Sequence, residues 1–477
     1  MSEAYTRTQL VGLLLGPLSF LFLLWLEVPG LAPEGRAALA AAAWVALWWT
    51  TDAIPMAATG LLPLVLFPLC GVLPMKAATA AFANPLVFLF LGGFLLAVAI
   101  ERVRLHERIA LHIIAAIGQD WRSLLLGFMA ATALLSMWIS NTATAVMMLP
   151  IGTAVYSQLA GSEAERLRRG RSLMLAIAYG CSTGGIATLI GTPTNVVLSG
   201  MVDELYGIEL GFAQWLTFGL PLALLLLGVA WVYLTFVAFP VAEPGLPGGR
   251  AAVRARLAAL GPMRGPERRV LAVFLLVALA WISRPFLLQP YLPALNDTGI
   301  ALIGALLLFT LPADRNDRLL DWPTAATIPW GILLLFGGGL TLAAGFSSSG
   351  LADWIGAQLA GLAVLPTFLL LLGLIAAVNF LTEITSNVAT AAMLLPVLAA
   401  LSATLGLHPF LLMVAATVAA SCAFMLPVAT PPNAVVFGSG LLTIPIMLRV
   451  GFWLNVLSIL LTAAFVYFWL PWVWGIG

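Results

Sequence analysis

A polar stretch inside apolar sequence is the first feature that could bind a ligand. Residues 140–150 read Ser-Asn-Thr-Ala-Thr-Ala-Val-Met-Met-Leu-Pro, and residues 386–396 read Ser-Asn-Val-Ala-Thr-Ala-Ala-Met-Leu-Leu-Pro. The second stretch lies 246 residues after the first, and eight of the eleven positions are identical. Hydroxyl and amide groups can coordinate a hard cation or hydrogen-bond an anion, and they are costly to bury without a partner. The pattern therefore predicts a ligand site where two repeats meet.

A second pair of motifs follows the first pair. Residues 191–195 read Gly-Thr-Pro-Thr-Asn, and residues 429–433 read Ala-Thr-Pro-Pro-Asn, an offset of 238 residues. Proline removes a backbone donor and disfavours helix at the residue before it. Each motif therefore predicts an interrupted helix, whose free carbonyls suit cations and whose N-terminal amides suit anions. A structural kink explains one such motif, but two copies, each following a Ser-Asn stretch, favour a binding site.

The composition places these motifs in a membrane. Hydrophobic residues make up 62% of the 477, charged residues make up 9%, and the mean hydropathy is +1.06. A soluble domain has about 25% charged residues, so we expect an all-α polytopic membrane protein. The net charge of +1 gives no reason to expect nucleic-acid binding. Cys70, Cys181 and Cys422 lack metal-ligand spacing and are expected to be small buried residues.

The hydropathy pattern predicts about eleven transmembrane helices and two re-entrant hairpins. The hairpins occupy residues 121–158 and 363–404, with the Ser-Asn stretches at their tips, because each arm is expected to be too short to cross about 30 Å of hydrocarbon. The predicted spans are 9–29, 36–50, 53–71, 84–101, 172–200, 213–240, 268–289, 298–313, 325–346, 408–438 and 450–471.

The basic residues predict the orientation. With the N-terminus in the cytoplasm and the C-terminus outside, all of the 21 basic residues except Arg36, Lys76 and Arg284 fall on the cytoplasmic side. Leu105, Ile109 and Ile113, in a charged segment, match Leu351, Ile355 and Leu359 at the offset of 246. These matching stripes predict interfacial helices on opposite faces, and hence an inverted repeat.

The repeat divides the chain into five predicted regions. They are scaffold helices with an interfacial helix (1–120), a first transport region (121–240), a cytoplasmic linker (241–267), second scaffold helices with an interfacial helix (268–362) and a second transport region (363–477).

The four motifs resemble those of the divalent anion/sodium symporter family, the di- and tricarboxylate and sulfate transporters. The resemblance covers nearly the whole chain. It implies a homodimer in the cell inner membrane, in which a transport domain moves as an elevator against a scaffold. It also implies two sodium sites, one in each half, with the substrate between them.

The resemblance also implies site residues, one position at a time. The first sodium site comprises Ser136, Ser140, Asn141 and the Gly191 carbonyl; the second comprises Thr382, Ser386, Asn387 and the Ala429 carbonyl. The implied substrate-binding residues are Asn141, Thr142, Thr192, Asn387, Val388 and Pro431.

Two residues depart from the family pattern or from the repeat. Val388 stands where many members carry threonine, which leaves the identity of the anion open. Glu383, whose repeat partner is Met137, is an acidic residue at membrane depth. It is either a carboxylate capped by backbone amides or near water, or a group that takes part in coupling or proton sensing.

The leading hypothesis from the sequence is sodium-coupled uptake of C4 dicarboxylates such as succinate, malate or fumarate. A sodium-independent dicarboxylate exchanger is the alternative within the family. A sodium/proton antiporter is less favoured, because that chemistry usually needs carboxylates at the membrane midplane. We do not expect an enzyme, since no nucleophile with a neighbouring base and no metal cluster stands out.

Overall fold

The structure is a computed structural model that describes residues 5–117, 120–240 and 249–476. Its regular elements in these ranges are helices, together with one isolated β-bridge between Pro312 and Arg318. The α-helices of the first half are α1 Arg7–Trp25, α2 Pro33–Thr51, α3 Met56–Thr59, α4 Leu62–Leu69, α5 Met75–Ala80, α6 Pro85–Arg102, α7 Leu105–Ile117, α8 Trp121–Ser136, α9 Asn141–Ser157, α10 Glu163–Ile186, α11 Pro193–Tyr206 and α12 Phe212–Val232.

The second half follows a connecting helix, and from α17 onward its helices correspond in order to those of the first half from α6 onward. Its α-helices are α13 Gly249–Ala259, α14 Gly265–Ser283, α15 Asp297–Thr310, α16 Trp322–Ala325, α17 Trp330–Ser348, α18 Leu351–Leu359, α19 Thr367–Thr382, α20 Asn387–Leu405, α21 Pro409–Ser421, α22 Pro431–Phe437, α23 Ile444–Ala464 and α24 Leu470–Trp474. Short π-helical segments, Tyr233–Ala238, Arg284–Leu288 and Phe465–Trp469, extend α12, α14 and α23, and 3₁₀ turns occupy Ala81–Ala83 and Ala360–Val364.

The prediction of a polytopic helical membrane protein is confirmed. Among the described residues, seven helical stretches are long and apolar enough to span a membrane: Arg7–Trp25, Met75–Arg102, Phe212–Ala238, Gly265–Leu288, Trp330–Ser348, Asn387–Leu405 and Ile444–Trp474. These seven stretches are fewer than the eleven predicted spans, in part because α10–α11 and α21–α22 are interrupted at the expected breaks. Large apolar side chains on outer helices, such as Leu14 and Leu279, are exposed and suit contact with lipid.

One part of the hairpin prediction differs from the structure. Helix α20, expected to be an arm too short to cross, has 19 residues and qualifies as a span by length and composition. Proline 396 lies inside α20 without ending it. The apolar sequence therefore continues one helix through a residue that often interrupts helices. Evidence for a re-entrant path of this arm therefore has to come from the position of its tip, because its length is sufficient for a span.

Helices α7 and α18, which the sequence predicted to be interfacial, begin after the same backbone feature. Arg104 precedes α7 with a φ of 57°, and Gly350 precedes α18 with a φ of 70°. These residues are 246 positions apart, the offset of the sequence repeat. Arg104 adopts a left-handed conformation that is uncommon outside glycine. The equivalent turns show that the two halves enter these helices in the same way.

The predicted linker contains a helix that is held against α7. Residues 241–248 lie outside the described ranges, and α13 follows them. The buried Glu107 carboxylate on α7 forms ion pairs with Arg256 of α13 at 2.8 Å and with Arg104 at 2.6 Å. Burial alone would raise the pKa of Glu107, but the two guanidinium groups outweigh it and lower that pKa. Arg108 pairs with Glu267 of α14 at 3.0 Å, so α7 is tied to both elements that start the second half.

Candidate functional site

The first Ser-Asn stretch forms the tip between α8 and α9. Helix α8 ends at Ser136, and Asn141 is the first residue of α9. Ser140 is the N-cap of α9, and its hydroxyl accepts a hydrogen bond from the Ala143 amide at 3.2 Å. A serine at this position satisfies one of the free amides of the first turn. The capping residue therefore fixes where α9 starts and places Asn141 at the tip.

Three oxygen atoms meet at this tip. The buried Ser136 hydroxyl oxygen lies 2.5 Å from Asn141 Oδ1 and 2.8 Å from the Cys181 carbonyl oxygen on α10. A serine hydroxyl carries one proton, so it can donate fully to only one of these two acceptors. The cluster is rich in acceptors and short of donors, which suits a nearby cation.

The second tip has the same arrangement at the repeat-related residues. Thr382 ends α19, and its buried hydroxyl oxygen lies 2.7 Å from Asn387 Oδ1 and 3.0 Å from the Ala420 carbonyl oxygen on α21. Ser386 is the N-cap of α20, but its side chain makes no capping hydrogen bond. The structure therefore brings together the hydroxyl and the asparagine that the sequence paired in each half.

The first helix break approaches Asn141 because a glycine leaves room for it. Helix α10 ends at Ile186 and α11 begins at Pro193. A Cβ atom at Gly185 would lie 2.7 Å from Asn141 Oδ1 and 3.2 Å from the Gly191 carbonyl oxygen. Both oxygens thus border the same small space, which any side chain at residue 185 would fill. Ser136, Asn141 and the Gly191 carbonyl, which the resemblance assigns to one sodium site, therefore lie close together, and Ser140 stands beside them at the cap.

An asparagine closes each break from within. The Asn195 amide donates to the Thr188 carbonyl at 2.8 Å and to the Gly185 carbonyl at 3.3 Å. In the second break the Asn433 amide donates to the Leu426 carbonyl at 3.0 Å and to the Ala423 carbonyl at 3.2 Å. Each contact in one half corresponds to a contact 238 residues later, the offset of the Thr-Pro motifs. Both asparagines belong to the repeated Thr-Pro motifs, and their recurrence is the sequence signal that could have identified this role.

Each hairpin arm packs against the broken helix of the other half. Helix α9 contacts α22, and α20 contacts α11. The Thr194 and Ser421 hydroxyls, one from each half, form a hydrogen bond at 2.7 Å. Phe90 and Phe336, which are repeat partners, stack with ring centroids 6.4 Å apart. The two sets of motifs therefore lie at the boundary between the halves.

The predicted substrate-facing residues differ in their surroundings. Thr142 is exposed, and its side chain makes no hydrogen bond with the described residues; Pro431 is also exposed. Thr192 is buried and is the N-cap of α11. Val388 is partly buried and lines an apolar crevice with Pro193 and Phe336. Ala429 lies buried in the second break. These placements leave Thr142 exposed and put Val388 in contact with apolar side chains.

Glu383 holds the second break in place. Its Oε1 accepts hydrogen bonds from the Phe424 amide at 2.7 Å, the Met425 amide at 3.0 Å and the Asn455 side chain at 2.7 Å. Its Oε2 accepts from the Leu426 amide at 3.0 Å. The carboxylate is 3% exposed. Of the two interpretations of Glu383 from the sequence, the structure shows the capped carboxylate.

The first half closes its break without a charge. The repeat partner of Glu383 is Met137, whose backbone carbonyl accepts a hydrogen bond from the Thr188 hydroxyl at 2.5 Å. Both contacts join the hairpin tip to the helix break of the same half. The two halves therefore use different chemistry for the same connection.

Comparison with known proteins identifies the family. The model of the sodium:sulfate symporter transmembrane region matches residues 8–476. The chain is 46% identical to the sodium-dependent dicarboxylate transporter SdcS of Staphylococcus saprophyticus over 492 aligned residues, covering 100% of this chain and 94% of that protein. It is also 46% identical to SdcS of Staphylococcus aureus, covering 99% and 94%.

Two solved structures share the fold. The Alcanivorax borkumensis YdaH transporter superposes with a TM-score of 0.60 at 16% identity, covering 99% of this chain and 100% of its own. Neisseria gonorrhoeae MtrF superposes with a TM-score of 0.61 at 15% identity, covering 100% and 97%. The match along almost the entire chain, together with the close full-length relatives, shows that this protein belongs to the sodium:sulfate symporter family.

Proposed function

We propose that this protein is a secondary transporter that couples sodium to the uptake of C4 dicarboxylates such as succinate, malate and fumarate. The observation that carries the proposal is the pair of oxygen clusters at the hairpin tips, each made of a hydroxyl, an asparagine and a backbone carbonyl. The names of the 46% identical relatives, sodium-dependent dicarboxylate transporters, support the choice of cation and substrate.

Sodium would be held by neutral oxygens in both halves. In the first half these are Ser136, Ser140, Asn141 and the Gly191 carbonyl; Asn141 and the Gly191 carbonyl border the space beside Gly185, and Ser136 contacts Asn141. In the second half they are Thr382, Ser386, Asn387 and the Ala429 carbonyl. Hydroxyl, amide and carbonyl oxygens suit a hard cation. Because neither set includes a carboxylate, the ion would be held weakly enough to be released in each transport cycle.

The dicarboxylate would lie between the two tips. Asn141, Thr142 and Thr192 would face it from the first half, and Asn387, Val388 and Pro431 from the second. Helices α9, α11 and α20 begin at or beside these residues. The free amides of a helix N-terminus favour negative charge, and sodium in the neighbouring clusters would add to that attraction.

The repeat suggests how the site would reach both sides of the membrane. We infer an inverted repeat in which the hairpins and broken helices move together as an elevator against the other helices, in a homodimer. The contacts of α9 with α22 and of α20 with α11 support a single moving unit, because each half holds part of the other half's site. The basic residues support a cytoplasmic N-terminus and an external C-terminus.

Exchange of dicarboxylates without net sodium flux is the second candidate within the family. A sodium/proton antiporter is less favoured, because the buried Glu383 already accepts four hydrogen bonds from fixed donors. A carboxylate held in this way serves structure better than it serves repeated proton transfer.

Uptake into proteoliposomes tests the proposal. Purified protein is reconstituted, and radiolabelled succinate uptake is measured with an inward sodium gradient and with a matched potassium gradient. Sodium should drive accumulation above equilibrium. Vesicles preloaded with unlabelled succinate in sodium-free buffer provide the test of exchange. Equal counterflow with and without sodium, and no accumulation with the gradient, would contradict sodium coupling and favour the exchanger.

A further inference from the structure

A cavity away from the oxygen clusters combines arginines with apolar walls. It has a volume of about 490 Å³ and lies between α10, α23 and the π-helical end of α12. Arg171 of α10 and Arg449 of α23 line it, and the remaining walls include Tyr233, Val237 and Trp453. No acidic side chain lines this cavity among the described residues. The arrangement offers positive charge beside apolar surface.

Both arginines are available to an anion. Arg171 donates from Nε to the Leu441 carbonyl at 3.2 Å, and Arg449 is exposed. Neither forms an ion pair with the described part of the chain. Guanidinium groups bind phosphate oxygens through paired N–H donors. Two such groups without a carboxylate partner therefore favour a ligand with a negatively charged head.

An apolar groove continues from this cavity. The groove has a volume of about 540 Å³ and is lined along α12 by Leu224, Gly228 and Val232. Tyr233, Val237 and Leu457 line both the cavity and the groove, so the two spaces are adjacent. A Cβ atom at Gly228 would meet nothing within 4 Å. The groove is therefore open and could accept a hydrocarbon chain.

Neighbouring aromatic residues suggest the depth of the cavity in the membrane. Trp231 donates to the Arg122 carbonyl at 3.0 Å, and the Arg122 guanidinium lies 4.8 Å from the centre of the Phe236 ring. Trp453, which lines the cavity, is 55% exposed. Tryptophan, tyrosine and arginine gather where lipid head groups meet hydrocarbon. The arginines are thus expected at head-group level, and the groove runs along α12 toward apolar surface.

We propose that this cavity and groove bind one anionic phospholipid. Its phosphate contacts Arg171 and Arg449, and one acyl chain lies along α12. A zwitterionic lipid carries an additional cation, for which the cavity offers no acidic partner. The site therefore selects an anionic head group over a zwitterionic one. It is separate from the sodium and dicarboxylate sites proposed above and does not depend on them.

Native mass spectrometry of the full chain in detergent tests this site. The protein is titrated with phosphatidylglycerol, with phosphatidylcholine and with glycerol phosphate, which has a charged head but no acyl chain. The Arg171→Ala, Arg449→Ala double variant should weaken phosphatidylglycerol binding about 30-fold, from the contribution of each arginine near a membrane surface. Arg315→Ala removes an exposed arginine that does not line the cavity and is the matched control; it should leave binding unchanged.

Gly228→Leu tests the groove independently. It fills open space and replaces a helix-interior glycine by a better helix former, so the variant should fold. It should weaken phosphatidylglycerol binding and leave both arginines in place. The proposal would be overturned by equal binding of the two lipids, or by phosphatidylglycerol binding that neither variant affects. It would also be overturned if glycerol phosphate bound as tightly as phosphatidylglycerol, which would indicate a site for free anions.

Discussion

The substitution Glu383→Gln would test whether a buried carboxylate holds the second helix break in shape. Glutamine keeps the size of the side chain and replaces one oxygen by an NH₂ group. If its oxygen takes the place of Oε1, its NH₂ group faces the Leu426 amide, which now donates to Oε2 at 3.0 Å. Two donors then face each other, and the buried amide loses its acceptor, at a cost of about 1–3 kcal/mol.

The other three hydrogen bonds would also weaken. The Phe424 and Met425 amides and the Asn455 side chain now donate to a charged oxygen. Hydrogen bonds to charged groups contribute about 1.5–3 kcal/mol each, against about 0.5–1.5 kcal/mol for neutral pairs. Together with the loss of the hydrogen bond from the Leu426 amide, these weaker bonds should make Glu383→Gln destabilise the fold by roughly 4 kcal/mol.

The break carries the Ala429 carbonyl of the proposed second sodium site. A loosened break should therefore lower the Tm in detergent and reduce the increase in Tm that sodium produces. In proteoliposomes, the sodium concentration for half-maximal succinate uptake should rise. Met137→Leu, at the repeat-related position, is the matched control and should change each quantity little, because only the backbone of Met137 makes the equivalent contact.

Two results would refute this reasoning. An unchanged Tm in Glu383→Gln would show that the four hydrogen bonds do not hold the break. Loss of transport with unchanged Tm and unchanged sodium stabilisation would assign the carboxylate a direct role in coupling.

Three further predictions follow from the hairpin tips. Asn141→Ala or Asn387→Ala should abolish succinate uptake and leave a folded protein by size-exclusion chromatography; wild-type uptake by either would remove that residue from the site. Ser136→Ala and Thr382→Ala should each raise the sodium concentration for half-maximal uptake more than they change succinate affinity at saturating sodium. Thr382→Ser keeps the hydroxyl and is the conservative control. Sodium dependence identical to wild type in the alanine variants would show that these hydroxyls only hold the tips. Val388→Thr adds one hydroxyl at nearly constant volume. It should change the affinity for at least one of succinate, malate, citrate and sulfate by about tenfold or more, and with it their ranking in competition assays, since a hydrogen bond to a charged group is worth about 1.5–3 kcal/mol. An unchanged ranking would leave Val388 as a packing residue of the apolar crevice.

The sequence predicted the parts of the site that recur. The family resemblance placed Ser136 with Asn141 and Thr382 with Asn387, the repeat relates the two pairs, and the structure places the members of each pair in contact. The breaks before Pro193 and Pro431 were predictable because proline cannot supply the backbone donor that a continuous helix needs.

Other contacts could not be predicted from residue types. The amides that bind Glu383 belong to an apolar stretch, and it is their backbone that donates, so side-chain identity carries no signal. Arg256 and Glu107 are 149 residues apart, and nothing in either local sequence indicates that they pair. The continuation of α20 through Pro396 reflects packing that overrides a local preference.

The different closures of the two breaks have a consequence for exchange between the two halves. The first half uses a hydroxyl-to-carbonyl contact between Thr188 and Met137, and the second half uses a carboxylate bound to amides. A glutamate at position 137 would meet no such set of amides, and a methionine at position 383 would leave them without an acceptor. Each closure is made within one half, so it would remain intact if a whole half were transferred, whereas replacement of Glu383 alone would remove it.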